Sequence, residues 1–273
     1  MIAETQLPEQ IARSSELRLR SLMRSYGKVL VAYSGGVDSS YLALIATQEL
    51  GESATCVFGI SPSVSENQRT EARATAKAFG FKLHEIDTNE ILDPRYQANP
   101  ANRCYYCKTE LYSRLRVLGR ELKVEHIVDG TNADDLRGHR PGRMAASENG
   151  VASPLAEIGL GKSAIRELSK RQGMSGWDKP SSPCLSSRIA YGVPVTVKRL
   201  GQVERAEALL RDLGFREFRV RVHGDLVRIE ISKDEMQRAL DLLVLESISA
   251  RIEGFGFKFV TLDLKGFRSG SLN

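Results

Sequence analysis

Alternating strand and helix signals predict an α/β protein: a doubly wound parallel sheet followed by a small C-terminal α+β domain. Three observations carry that expectation. Short apolar runs recur as KVLVAY (28–33), ATCVFGI (54–60), FKLHEI (81–86) and EHIVDG (125–130), the signature of strands in a parallel sheet. Stretches with helical spacing separate them near 38–50, 64–79 and 105–122, giving the order of βαβ units. Past residue 194 the rhythm changes to helix, strand, strand, helix, strand.

The elements follow in order. The opening MIAETQLPEQIARSSELRLR carries acids early and no apolar core, so no secretory signal is expected, and residues 9–24 predict a surface helix. After the first strand comes SGGVDSS (34–40); Tyr41, Leu42, Leu44 and Ile45 then keep helical spacing, with Asp38, Ser39 or Ser40 available as N-caps. VASPLAEI (151–158) suggests a fifth strand, and GKSAIRELSKRQG (161–173) an amphipathic helix. Residues 174–194, rich in Ser, Pro and Gly, read as a long irregular loop, a length usually functional or a linker. A helix over 195–213, strands at 215–224 and 225–232 joined at Gly224–Asp225, a helix over 233–247 and a strand at 257–264 complete the chain. The expected domains are residues 1–190 and 191–273.

Composition narrows the classes. The 273 residues are 41% hydrophobic and 27% charged, ordinary for a soluble globular protein. A net charge of +5 suits anionic ligands. No apolar run approaches the ~18–20 residues of a membrane span, so no membrane partner is expected. The expected compartment is the cytoplasm, where Cys56, Cys104, Cys107 and Cys184 serve as thiols or metal ligands rather than disulfides. Cys56, inside an apolar strand, is assigned to the core.

The glycine corner is the strongest motif. Between a buried strand and a helix, backbone N–H groups and the helix dipole favour an anion; Gly35 and Gly36 permit close approach, and the hydroxyls of Ser34, Ser39 and Ser40 add donors. The string is neither a Walker A loop nor GxGxxG. SGGxDS resembles the pyrophosphate loop of the N-type ATP pyrophosphatase (PP-loop) superfamily, whose members cleave ATP between the α- and β-phosphates and adenylate a carboxyl or carbonyl oxygen. The resemblance implies that Ser34, Gly35, Gly36, Ser39 and Ser40 hold pyrophosphate and that Asp38 helps position Mg²⁺. GTNADD (130–135), at the C-terminal end of the fourth strand, lies on the edge where open α/β sheets bind ligands and brings in Thr131 and Asp134. PLAEIGLGKSAIRELSK (154–170) resembles the segment that supplies a basic residue near the phosphates, Lys162 or Arg166; a solvated helix face explains both equally well.

Cys104 and Cys107 form CYYC, and Cys184 stands in PSSPCLSSRIAYG. By itself CYYC reads as a redox pair, half a metal site, or a helix start without chemistry. His84, His126, His139 and His223 offer no zinc-like spacing. Three thiolates can instead hold a cubane iron–sulfur cluster, leaving one iron without a protein ligand. KPSSPCLSSRIAYG, GTNADD with RPG after it, SPSVSENQ (61–68, which brings in Ser61) and GFRSGS (266–271) resemble the LarE family along nearly the whole chain. Those enzymes are ATP-dependent sulfur transferases in biosynthesis of the nickel-pincer nucleotide cofactor of lactate racemase. The resemblance implies that ATP adenylates a pyridinium carboxylate of a biscarboxylic acid mononucleotide, and that sulfur displaces AMP to give a thiocarboxylate. Cys184 matches the sacrificial sulfur donor of some members, which lack the CxxC pair. The presence of Cys104 and Cys107 resembles instead the subgroup that binds a [4Fe-4S] cluster through three cysteines, with sulfide or another sulfur donor as partner. Relatives form homo-oligomers, often hexamers.

Arg188, four residues after Cys184, has two readings: a nucleotide phosphate ligand or an anchor of its loop. Arg219 and Arg221 share one strand face and, with Glu207 on the preceding helix, suggest a substrate-phosphate or subunit-interface site, or else a solvated face. The principal rival is a PP-loop tRNA thiolation enzyme. The chain lacks a dense basic run interleaved with aromatics, which speaks against nucleic acid as partner. An amidotransferase ligase would need no CYYC, and a nucleotide-sensing regulator would release no pyrophosphate.

Overall fold

The computed structural model describes residues 3–137, 141–179 and 183–268. His139, Arg140 of the RPG run, residues 180–182 of the KPSSPC run and residues 269–271 of the terminal motif lie outside them. The chain forms two compact units. The first takes the described residues within Met1–Ser61, Glu66–Glu90 and Cys104–Ser182; the second takes those within Pro62–Ser65, Ile91–Arg103 and Pro183–Asn273. Where the sequence suggested one boundary near 190, the chain therefore crosses between the units several times, and two short internal segments belong with the C-terminal unit.

In the first unit helix α1 (Ala3–Tyr26) precedes strand β1 (Val29–Tyr33), helix α2 (Val37–Leu50), β2 (Ala54–Ile60), α3 (Glu66–Ala78) and β3 (Lys82–Asp87). The one-turn α4 (Pro94–Gln97) falls in the second unit, and α5 (Arg103–Leu122) leads back to β4 (His126–Asp129). Helix α6 (Pro141–Glu148), the one-turn α7 (Pro154–Glu157) and α8 (Lys162–Arg171) follow. The four strands are parallel in the order β3-β2-β1-β4. The chain winds outward from β1 to β3 and returns to the other side of β1 at β4, so the topological switch lies between β1 and β4, where such sheets open a ligand crevice at their C-terminal ends. Every residue of β1 is buried, as its uninterrupted apolar run requires, whereas edge strand β3 alternates charge with partial exposure. The expected fifth strand does not form: Ala152 makes a single bridge beside Val128, and Pro154 then starts helix α7. Proline has no N–H to donate to a ladder yet suits the first helical turn.

The second unit contains α9 (Val197–Asp212), β5 (Phe218–His223), β6 (Leu226–Ile231), α10 (Lys233–Ala239), α11 (Leu242–Glu253) and β7 (Phe259–Leu262), with sheet order β5-β6-β7. The hairpin expected at Gly224–Asp225 is present, with His223 opposite Leu226. Residues 233–247 form two helices rather than one, because the Asp241 carboxylate caps α11 by accepting from the N–H groups of Leu243 and Val244. Among the described residues no helix is long and apolar enough to cross a membrane.

One face of the parallel sheet is closed by α5 and α6, with Leu30, Ala32, Val57, Tyr112, Leu115, Val124 and Ala145 in one buried cluster. Leu115 is fully buried there, so Leu115→Ala is expected to destabilise the first unit by about 2–5 kcal/mol, read as a lower denaturant midpoint.

Candidate functional site

The glycine corner is built as a donor cradle. Gly36 is the N-cap of α2, and among the described residues no side chain caps that helix. Of the expected caps, Asp38 is engaged by Asn132, and the Ser39 hydroxyl donates to the Gly36 carbonyl at 3.1 Å and pairs with the Ser34 hydroxyl at 3.0 Å, while the Ser34 N–H donates to Ser39 Oγ at 3.2 Å. The serines thus brace the turn, and the N–H groups at the head of the helix keep the orphan character that suits a helix N-terminus to an anion. Gly35 has φ of +74°, and a Cβ there would stand 2.9 Å from Ala72 Cβ on α3, so only glycine fits. Ser34 and Gly36 are exposed, Gly35 and Asp38 half-buried, Ser39 and Ser40 buried.

The second motif closes on the first. A Cβ on Gly130 would lie 2.7 Å from the Ser39 nitrogen, so glycine is what lets the end of β4 reach α2. Asn132, fully buried, donates through Nδ2 to Asp38 Oδ2 at 3.0 Å, while its Oδ1 accepts from the N–H groups of Asp134 and Asp135. Thr131, which the sequence singled out, is turned to Asp129, donating from both its backbone N–H (3.1 Å) and its hydroxyl (2.9 Å). The Asp134 carboxylate accepts from the Lys162 N–H at 2.7 Å and so fixes the start of α8. Burial pushes the Asp38 carboxyl above the usual carboxylate range, against the pull of the Asn132 hydrogen bond and the Lys162 and Arg166 charges. Asp38 therefore has the Asn132 amide and the charges of Lys162 and Arg166, offered by the sequence as alternatives, as its electrostatic neighbours. Sequence reasoning missed Asn132 as the connecting residue, although a polar amide amid GTNADD was its available signal. Ser61, just past β2, is buried, and its carbonyl accepts from the Arg69 guanidinium at 2.7 Å.

The cysteines divide as follows. Cys56 is fully buried in β2, and burial pushes its thiol up to about 12, as a core residue should be. Cys104 is exposed and Cys107 half-buried at the start of α5, where a spacing of three puts them on one face. Beside them Lys108 stands 5.2 Å over the Tyr112 ring, whose hydroxyl donates to buried Asp129 at 2.7 Å. Burial works against the Lys108 charge, but Tyr112, Asp129 and Cys107 outweigh it and hold its pKa above the ordinary value. Cys184, half-buried, belongs to the second unit and precedes a 3-10 turn over Leu185–Arg188. None of the four is in a disulfide, and among the described residues no group of three or more His, Cys, Asp or Glu is gathered as a metal ion would require.

In the second unit Arg188, expected at the nucleotide, has the partners of an anchor. Its guanidinium grips Glu207 bidentately, Nε to Oε1 at 2.8 Å and Nη2 to Oε2 at 3.2 Å, and donates to the carbonyls of Pro183 and Cys184. Arg221 donates to Glu230 at 3.1 Å and to the Ser187 carbonyl at 3.2 Å. Arg219 packs 4.9 Å over the Phe267 ring. Burial first, then the charges of Arg188 and Arg221, pull Arg219 down to about 10. Arg188, Arg219, Arg221 and Glu207 are thus brought together, and an anion beside Arg219 would relieve the repulsion.

The NAD synthase family profile matches residues 12–133, which hold the glycine corner and most of GTNADD. An uncharacterized protein of Synechocystis sp. is 43% identical, covering 94% of this chain and 97% of the relative. The pyridinium-3,5-bisthiocarboxylic acid mononucleotide synthase of Lactiplantibacillus plantarum is 34% identical, covering 93% of this chain and 92% of that enzyme. An uncharacterized protein of Methanocaldococcus jannaschii is 31% identical, covering 89% of this chain and 91% of the relative.

Because the Arg188–Glu207 pair is almost wholly buried, removing one partner strands the other charge. Arg188→Met is expected to cost about 3–5 kcal/mol in equilibrium denaturation, with Arg188→Lys recovering only part of it.

Proposed function

This chain belongs to the LarE family of PP-loop enzymes, and from that premise we propose that it is an ATP-dependent sulfur transferase. In this reading a pyridinium carboxylate of a biscarboxylic acid mononucleotide attacks the α-phosphorus of ATP and pyrophosphate leaves. A sulfur nucleophile then attacks the acyl carbon, and AMP departs as the thiocarboxylate forms. Adenylation supplies the leaving group that a bare carboxylate lacks, and a thiolate is an intrinsically strong nucleophile. The Lactiplantibacillus relative is named as a synthase of pyridinium-3,5-bisthiocarboxylic acid mononucleotide, a product that carries thiocarboxylates.

The observation that carries the proposal is the head of α2: an uncapped helix N-terminus, hinged on Gly35, with Asp38 held by Asn132 and the charges of Lys162 and Arg166 beside it. Such a cradle suits the departing pyrophosphate, with backbone N–H groups and the helix dipole facing its charge. The half-buried Asp38 carboxylate is of the right donor type for Mg²⁺, a hard cation that keeps most of its waters. The crowded guanidiniums of Arg219 and Arg221 suit the phosphate of the mononucleotide.

For the sulfur step we favour a [4Fe-4S] cluster held by Cys104, Cys107 and Cys184. What supports it is donor chemistry: three solvent-accessible cysteines, two on one helix face, against a fourth sealed in the core. When bound, such a cluster would supply an iron without a protein ligand, able to carry an additional sulfide. The other reading makes Cys184 the sacrificial donor; the anchoring of its own carbonyl by Arg188 and by the Ser187 hydroxyl, at 2.7 Å, suits a thiol that must be held for attack. Subunit count and the source of sulfur belong to the same proposal, with a homo-oligomer and a sulfide donor as its members.

Given ATP, Mg²⁺ and pyridinium biscarboxylic acid mononucleotide, the protein is expected to release pyrophosphate, and Asn132→Ala to slow this by about 10–100-fold through the loss of its hydrogen bonds to the loop. A protein that binds ATP but forms no pyrophosphate would be a sensor instead. After anaerobic purification, Cys104→Ala, Cys107→Ala and Cys184→Ala are expected to lose iron alike. Full iron in Cys184→Ala with no thiocarboxylate formed would transfer the sulfur to Cys184 itself.

A further inference from the structure

The second unit contains a joint that the sulfur-transfer reading does not use. Asn99, in Ile91–Arg103, is fully buried and adopts φ of +54°, a left-handed conformation that asparagine tolerates better than most residues. Its Nδ2 donates to three carbonyls of the segment that follows Cys184: Ile189 at 3.2 Å, Ala190 at 2.8 Å and Val193 at 2.9 Å. With two N–H bonds for three acceptors, one hydrogen is shared. Its Oδ1 accepts from the Arg103 guanidinium, and its backbone carbonyl accepts from the Gly192 N–H at 3.1 Å. These partners fix the amide's orientation, since carbonyls only accept and a guanidinium only donates. Two further bonds run the same way: the Tyr96 hydroxyl pairs with Ser186 Oγ at 2.6 Å, and the Val195 N–H donates to the Gln97 carbonyl at 2.8 Å.

We propose that Asn99 is a positioning residue for sulfur transfer. Its buried amide locks the segment that runs into the cysteine pair to the segment that leaves Cys184. What the loop does rests on the reading above; how it is held rests on the hydrogen bonds alone. Arg103, which donates to Asn99 Oδ1, is the residue immediately before Cys104 and is itself buried. One side chain therefore ties together the approaches to two of the sequence's cysteine motifs. Adenylation, by contrast, is assigned to the head of α2, in the first unit.

The test compares the full chain with Asn99→Ala and with Asn99→Gly, the latter keeping the left-handed backbone without strain. Hydrogen exchange across 185–193 and peptide-resolved iodoacetamide labelling of Cys184 are expected to rise by about tenfold in both variants, on the loss of a multiply bonded buried amide. Thiocarboxylate formation is expected to fall by at least about tenfold while pyrophosphate release stays within about twofold. Unchanged exchange and labelling in both variants would overturn the proposal. So would a fall in pyrophosphate release that tracks the loss of thiocarboxylate, since that marks a general structural role. If the parent itself forms no pyrophosphate, the sulfur-transferase reading fails, and exchange and labelling still decide the joint.

Discussion

The close approach of the end of β4 to the head of α2 is the constraint on which the first unit depends. Gly130 makes it sterically possible, and the Asn132 amide makes it stable. That amide faces two ways: its nitrogen holds Asp38, while its oxygen closes the turn that leads to Asp134 and, through it, to Lys162. A residue without both a donor and an acceptor at that point would leave either the turn or the carboxylate without its partner, and in a fully buried position each such loss is expensive. The topological switch of the sheet is what presents the two strand ends to one another, so architecture and site have one origin.

The second unit solves a different problem, that of burying guanidiniums. Arg188 and Glu207 are both nearly inaccessible, and such a pair is tolerated because Arg188 also satisfies two backbone carbonyls. Arg221 repeats the device with Glu230 and the Ser187 carbonyl. In both, the carbonyls belong to the segment around Cys184. The arginines of β5 and of the 3-10 turn thus act first as scaffolding for the loop. Arg219, held over Phe267, donates to the Phe218 carbonyl at 2.7 Å.

The fold was largely legible because parallel strands announce themselves as apolar runs: β2 spans the very residues expected, and β1 and β4 differ at their ends by a residue or so. VASPLAEI failed for a local reason, since an apolar run of that length does not reveal that Pro154 will open a helical turn instead of joining a ladder. Residues 233–247 look continuous in sequence because the apolar spacing persists across Asp241, whose capping role needs the backbone to turn first. At the site, SGGVDSS marks the glycine corner, yet that Ser39 braces the turn while no side chain caps the helix is a matter of hydroxyl direction that spacing does not encode. Arg188 shows the same limit: four residues after a cysteine, it is equally placed by sequence to reach a ligand or its own loop, and its partner Glu207 lies on another helix.

The interleaving of the units gives these details a common logic. The chain leaves the parallel sheet just after β2 and again after β3, and each excursion enters the second unit. The first, Pro62–Ser65, offers the Ser63 carbonyl to the Leu185 N–H at 2.8 Å; the second, Ile91–Arg103, offers Tyr96, Gln97 and Asn99 to residues 186–195. The loop bearing Cys184 is therefore hydrogen-bonded to pieces of chain that follow β2 and β3 in the sequence and share its unit. Loop segments ordinarily carry their own backbone groups to solvent. Here the Ser/Pro/Gly-rich stretch is instead fastened at Pro183 and Cys184 by a buried guanidinium and at Ile189, Ala190 and Val193 by a buried amide. Under the proposed sulfur-transfer role, such fastening would lower the entropy of the thiol's approach before any substrate arrives, which is how a loop can serve chemistry that rigid elements would otherwise have to supply.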